Sequence, residues 1–333
     1  MKHGVGLKGR IVRMVVVALA GVCWGQTAMA TEDDMVPQGT WFQQLSYTQI
    51  AQTQGWGHDD KKHGLERYLL QDTNYAQFSG TVSRQISRAD LTFRYGLSDA
   101  WNLSLNLPWL KLTQHSTLQA LAPTPMNLAQ VNSLSDQTLS GLGDMEGVSL
   151  HRLVFSDQSG LILGWGAALA TAGHQNVRHG RTALRLGRPS SAPLALLHYT
   201  YYPYMTKARF DIRVHYLAPM MGKIRNLEGE EVTYFPGREA SLTVGWRQEW
   251  GVFSYEVAAR REVVTASRYA GKVWYQGGER QLGLLRLGLG NLSELEDGPL
   301  AFPFQLDLET SLAYAGNNQP LDKGYKLILQ MFY

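Results

Sequence analysis

The sequence predicts an all-β fold, a transmembrane antiparallel β-barrel of about 12 strands, and three observations predict it. Polarity alternates with period two in segment after segment; past residue 30 no apolar run is long enough for a spanning helix; and short connections alternate with long ones. A closed barrel satisfies every backbone group between strands and needs only every second residue apolar. The mean hydropathy of −0.22 fits that economy of apolar residues.

The chain opens with Lys2, Lys8, Arg10 and Arg13 and no acidic residue, then an apolar run from Met14 to Trp24 and the tripeptide Ala28-Met29-Ala30. This is a secretory signal with a cleavage site before Thr31. It divides the chain into a cleaved leader, 1–30, and an outer-membrane barrel, 31–333. The apolar run falls short of the roughly 20 residues of a membrane-spanning helix. The single cysteine, Cys23, lies inside the leader behind a bulky Val22 that suits lipid modification poorly. A mature chain without cysteine excludes disulfides, thiolate metal sites and cysteine nucleophiles. The 31 Lys and Arg against 28 Asp and Glu include four basic residues of the leader, so the balance beyond it is −1. No basic footprint for nucleic acid remains.

The first clear strand is Arg88–Tyr95, with Ala89, Leu91, Phe93 and Tyr95 on one face and Arg88, Asp90, Thr92 and Arg94 on the other. After the turn Gly96-Leu97-Ser98-Asp99, Trp101, Leu103, Leu105, Leu107 and Trp109 oppose Asn102, Ser104 and Asn106. The two form a hairpin with one apolar and one polar wall. The same alternation sets Asp211, Arg213 and His215 against Phe210, Ile212, Val214 and Tyr216, and Glu256 and Arg260 against Tyr255, Val257 and Ala259. Near the end it sets Asp307 and Glu309 against Leu306 and Leu308. A soluble sandwich turns its apolar face inward, whereas a membrane barrel turns it to lipid and keeps a polar lumen. The predicted lumen-facing residues are therefore Arg88, Asp90, Arg94, Asp211, Arg213, His215, Glu256, Arg260, Asp307 and Glu309. Both signs are present, so mutual pairing and a part in conduction are both open. Gly164, Gly166 and Ala168 put small side chains on an inward face, leaving space for a solute or a folded loop.

Tight turns near Leu97, Ser156, Met205 and Trp250 are expected on the periplasmic side, and the long segments Thr113–Ser140, Ala172–Ala192 and Ala218–Glu239 outside. Gln52–Gly80 reads as a further outer loop. Aromatic clusters at Trp41-Phe42, Tyr95 with Trp101, Tyr199–Tyr204, Trp246 with Trp250 and Phe302 with Phe304 fit interfacial girdles. The last segment alternates Tyr325, Leu327, Leu329, Met331 and Tyr333 with Lys326, Ile328, Gln330 and Phe332. Ending on Tyr333, it is similar to the C-terminal signal read by the barrel-assembly machinery.

Arg94-Tyr95-Gly96-Leu97-Ser98-Asp99, Leu103-Ser104-Leu105-Asn106-Leu107-Pro108 and Ser140-Gly141-Leu142-Gly143-Asp144 together resemble the outer-membrane family associated with meta-pathway phenol degradation. That resemblance is close over Arg88–Phe155 and general elsewhere. It implies a bacterial outer-membrane, porin-like transporter of small hydrophobic or aromatic compounds. The alternatives are a barrel whose loops bind a partner or lipid without transport, and an outer-membrane lipid hydrolase. The matched residues also have local readings: Gly96 supplies positive φ to a tight turn, and Asp144 caps a turn or faces the lumen. Expected partners are outer-membrane lipid and lipopolysaccharide, the assembly machinery and the solute. No cofactor is expected. A lipid hydrolase needs Ser and His together on the outer wall, and His151, His198 and His215 belong to no such motif in sequence. His58-Asp59-Asp60 with His63 has metal-ligand types, but Lys61 and Lys62 beside them make a solvated charge run the better reading, so no metal site is assigned.

Overall fold

The computed structural model describes residues 35–57, 59–70, 75–172, 186–188, 190–203, 206–225, 231–269, 272–275, 277–290 and 304–332. The predicted leader 1–30, His58, Phe302 and the terminal Tyr333 lie outside them. Among the described residues the barrel strands number twelve. They are β1 Trp41–Trp56, β2 Val82–Ser98, β3 Trp101–Ser116, β4 in two segments (Gln137–Leu142 and Met145–Phe155), β5 Ser159–Leu169 and β6 Ala192–Tyr201. They continue as β7 Ala208–Leu217, β8 Glu239–Trp250, β9 Phe253–Val264, β10 Gly278–Gly290, β11 Phe304–Asn317 and β12 Pro320–Phe332. Each pairs antiparallel with its neighbour in sequence, and β1 pairs with both β2 and β12. The sheet is closed, with no free edge.

Leu45 stands between Leu91 of β2 and Leu329 of β12, and Ser46 between Asp90 and Ile328, so the seam keeps one face for lipid and one for the lumen. Outward residues such as Leu103, Leu163, Val257, Leu285 and Leu308 stay exposed, while the inward Asp90, Arg94, Asp211, Glu256 and Asp307 are buried. That inversion of a soluble core is what the hydrocarbon requires. Aromatic rings gather toward one end: Trp41 on Tyr95 at 4.7 Å, and Tyr255 between Trp246 and Trp250 at 5.4 and 5.0 Å. Phe42, expected in this girdle, instead points inward, fully buried beneath the Arg94 guanidinium at 5.3 Å. Alternation with Trp41 forces the two onto opposite faces.

Loop asymmetry holds at nine of the eleven connections and reverses at two: β10 and β11 stand thirteen residues apart on the side of the short turns, and β11 and β12 are joined by Asn318-Gln319 alone on the side of the long loops. Asn318 takes φ 51°, a left-handed conformation that asparagine tolerates. The outer segments are more ordered than loops. β1 continues through Gln52 to Trp56, past the expected loop boundary, and Leu65–Leu70 forms helix α1. Pro125–Ser133 forms α2, capped by the Thr124 hydroxyl accepting the Asn127 N–H at 3.2 Å, with Pro125 in the first turn where its missing N–H costs nothing. Leu65, Leu69, Leu70, Phe78, Leu118 and Leu134 bury one another between these segments, a small apolar core capping the barrel mouth. Gly222–Arg225, Glu231–Phe235, Ser267–Tyr269 and Lys272–Tyr275 form a separate four-stranded sheet in the outer segments between β7 and β8 and between β9 and β10.

Lipid and lumen faces should respond oppositely to charge. Leu285→Arg, at the middle of β10 on the lipid face, is expected to cost about 2–4 kcal/mol, whereas Ser311→Arg on the lumen face of β11 should change stability far less. Guanidinium unfolding midpoints in lipid vesicles measure both.

Candidate functional site

The inward faces of β1–β3 and β7–β12 enclose a cavity of ≈ 630 Å³. Its side chains fall into tiers because each strand contributes an inward residue every second position. Nearest the short turns, Asp211 is the centre of a buried cluster: His198 Nε2 lies 2.8 Å from its Oδ1, and Arg209 Nε donates to Oδ2 at 2.8 Å. Thr200 Oγ1 donates to the same carboxylate at 3.3 Å. Gln305 Nε2 donates to Asp307 at 2.7 Å in this tier. One level outward, Arg213 Nη2 donates to Glu256 at 3.2 Å and Arg286 Nη2 to Glu309 at 2.8 Å, with Arg286 Nη1 also 3.7 Å from Glu256. Across the lumen Arg88 Nε donates to Asp90 at 2.8 Å. The outermost tier joins Arg280 to Glu262 at 2.7 Å and to Asp322, which also accepts from Gln52 Nε2 at 2.7 Å.

The structure places Arg88, Asp90, Arg213, His215, Arg260 and Glu309 in the cavity wall, and Arg94, Asp211, Glu256 and Asp307 buried beneath or beside it. Arg209, Arg280, Arg286, Glu262 and Asp322 belong to the same network and were missed. On β10 the inward residues Arg280, Leu282, Leu284 and Arg286 mix charge with leucine, so polarity does not alternate there.

The segment before β1 closes the end near the short turns. Val36 is bound at both backbone groups by Asn102, whose Oδ1 accepts its N–H at 2.7 Å and whose Nδ2 donates to its carbonyl at 2.9 Å. Met35 packs on Leu150 and Ile162. Gly96, expected to supply positive φ, does not adopt it. It is glycine for room: a Cβ there would sit 2.0 Å from the Pro37 carbonyl oxygen. The small inward residues of β5 likewise leave no solute space, because the Leu196 side chain covers Gly164 and Ala168 packs with Ala192, Leu194 and Leu217.

One place in the wall departs from the regular ladder. β3 pairs with β4 as Trp109 with Leu142 and as Asn106 with Glu146, so Gly143-Asp144-Met145 face only Leu107-Pro108. This is a one-residue bulge opposite a proline. Gly143 N–H still donates to the Pro108 carbonyl at 2.8 Å, and Thr171 bridges the gap, its hydroxyl donating to the Gly143 carbonyl at 2.8 Å and accepting the Met145 N–H at 3.0 Å. Leu186-Gly187-Arg188 covers the break: Arg188 N–H donates to Asp144 Oδ2 at 2.6 Å, and its guanidinium reaches Glu239 at 3.1 Å. Asp144 thus faces inward, buried, as a latch for this segment.

On the outer wall Ser149 Oγ lies 3.0 Å from His151 Nε2 and accepts from Trp101 Nε1 at 2.7 Å, with His151 between Trp101 and Trp165. Sequence reading had not joined these two residues. No third group orients His151 among the described residues, and the neighbouring backbone N–H groups belong to strand ladders. In the outer loop Asp59 pairs with His63 at 2.9 Å, a hydrogen bond that holds its carboxyl below the usual range, and Asp60 accepts from Asn317 at 2.7 Å. Among the described residues no set of three potential metal ligands gathers.

Asp211 is the most heavily shared carboxylate, so Asp211→Ala, which strands Arg209 in a buried site, is expected to cost about 3–5 kcal/mol. Asp157→Ala in the exposed turn between β4 and β5 should stay within about 0.5 kcal/mol. Denaturant unfolding in vesicles compares the pair.

No family model and no curated protein matches the chain. Among solved structures, an outer membrane channel from Pseudomonas putida F1 superposes with a TM-score of 0.65 at 11% identity, covering 92% of this chain and 99% of that one. A FadL homologue from Pseudomonas aeruginosa reaches 0.43 at 10% identity over 88% and 90%, and a mutant of the TodX monoaromatic hydrocarbon channel 0.42 at 9% over 89% and 91%. The closed register, the lipid-facing apolar belt and the first likeness agree that the chain is a twelve-stranded transmembrane β-barrel with the fold of that Pseudomonas putida outer membrane channel.

Proposed function

We propose that this barrel passes small hydrophobic or aromatic molecules across the outer membrane, without catalysing a reaction on them, and releases them sideways through the wall. The observation that carries this reading is the pairing of a sealed end with a broken wall. Met35–Thr40 and the Asp211 cluster fill the lumen near the short turns, while the β3–β4 ladder lapses at Pro108 and Gly143 under Leu186–Arg188. An apolar solute in the chamber faces charged side chains below, and the break lies beside the chamber wall, two residues along β3 from Asn106. Crossing the ionic tier would separate buried pairs, which is costly; moving a covering segment is cheaper.

The shared fold with a Pseudomonas putida outer membrane channel supports a channel role. The resemblance of Ser140–Asp144 to the phenol-degradation family supports the aromatic class, and these residues sit at the break. Residues 1–30 would serve for export, and β12 with Tyr333 for recognition by the assembly machinery. The outer loops would meet lipopolysaccharide.

Arg188→Ala removes the guanidinium hold on Asp144 and Glu239. Uptake of a labelled monoaromatic compound into vesicles is expected to rise several-fold while ohmic conductance stays unchanged. Conductance rising with no change in uptake would place the exit through the sealed end and defeat lateral release.

A further inference from the structure

We infer that the chamber selects solutes carrying an anionic head, a carboxylate on an aromatic or aliphatic body, and that Arg260 receives that head. The inference rests on the transport reading and narrows its substrate class. Six lysine and arginine side chains line the chamber against four carboxylates. Most of these cations are matched by an acid within hydrogen-bond reach, but Arg260 is matched differently. Its nearest carboxylate, Glu262, stands 3.8 Å away and is already held by Arg280 at 2.7 Å. The hydrogen bond Arg260 makes is to a neutral group, Nε donating to Thr243 Oγ1 at 3.0 Å. About a third of its side chain stays open to the chamber (32%).

Strand register supplies the rest of the site. Arg260 stands between Thr243 of β8 and Leu282 of β10. Ser241 stands two positions toward the long loops on the one strand and Leu284 two positions toward the short turns on the other, both in the cavity wall. Hydroxyls therefore flank the guanidinium on one side and leucines on the other. A carboxylate would take the two Nη donors in the fork geometry that arginine offers, with Ser241 as a further donor, and lay its hydrocarbon part on Leu282 and Leu284. A neutral hydrocarbon would use the leucines and leave the guanidinium to water. The cavity, ≈ 630 Å³, lies in the range that encloses a small organic ligand.

The test uses the full barrel refolded in detergent, with folding checked by the different gel migration of the unboiled band. Binding of 4-phenylbutyrate and of its neutral isostere 4-phenylbutanol is measured by calorimetry on the unmodified protein, Arg260→Gln and Arg260→Lys. A charge-assisted contact in a confined site is expected to favour the acid by about tenfold or more. Arg260→Gln should erase that preference with the alcohol's affinity unchanged, and Arg260→Lys should keep part of it, which loss of packing alone would not produce. Equal binding of acid and alcohol, or a preference that survives Arg260→Gln, overturns the inference while leaving transport of hydrophobic solutes intact. Failure of both compounds to bind the folded barrel would overturn the transport reading together with it.

Discussion

Everything in this molecule follows from the seam between β1 and β12. In hydrocarbon no water satisfies a free N–H or C=O, and each one left bare costs several kcal/mol. An open sheet with two edges could not survive there. β1 therefore pairs along nearly its full length with β2 on one side and β12 on the other, from Phe42 to Gly55 against the last strand. Once the seam is made, the pleat assigns every residue to lipid or lumen, and no later choice of side chain can undo it.

The lumen is the consequence that needs a physical account. Twelve strands enclose more space than eight, which side chains just fill, and less than an open porin. Aliphatic filling would have sufficed for stability, since buried ion pairs seldom outdo well-packed apolar residues. The chain uses both. Val148, Leu194, Leu196 and Leu217 pack the wall of β4–β7, and the Asp211, Glu256 and Arg286 clusters span β6–β11. Shared carboxylates make the ionic half directional and hard to shift piecemeal, because moving one partner strands another. The chamber itself is walled mainly by charged and hydroxyl side chains, with Ile50, Leu282 and Leu284 as its apolar part.

Sequence made the strands legible wherever lumen and lipid faces differed in polarity, as in β2, β3, β7, β9 and β11, because period two is the whole signal in those segments. It failed for β10, where Leu282 and Leu284 stand between Arg280 and Arg286 on one face and the contrast between faces fades. It also failed where a residue's reason lies far along the chain. Gly96 is glycine on account of Pro37, and Gly164 makes way for Leu196. Helix α2 did leave a local trace, Thr124 followed by Pro125, the pattern of an N-cap and first turn. Of the cavity, its ionic character was readable, but the pairing of each arginine depends on neighbours across strands that register alone decides.

The bulge at Gly143 sets the membrane against the proposed route of release. A continuous ladder is what lipid requires, and the sideways release proposed above requires an interruption. The structure reconciles them by moving the satisfaction of the backbone from strand to side chain. Thr171 hydroxyl stands in for the missing ladder at the Gly143 carbonyl and the Met145 N–H, and Asp144 takes the N–H of Arg188. Pro108, with no N–H to strand, is the residue that makes the opposite side of the gap cheapest. Side-chain bonds can be exchanged one at a time, whereas ladder bonds part cooperatively along a strand. A wall patched with a threonine and an aspartate can therefore open locally while the seam that holds the barrel in the membrane stays shut.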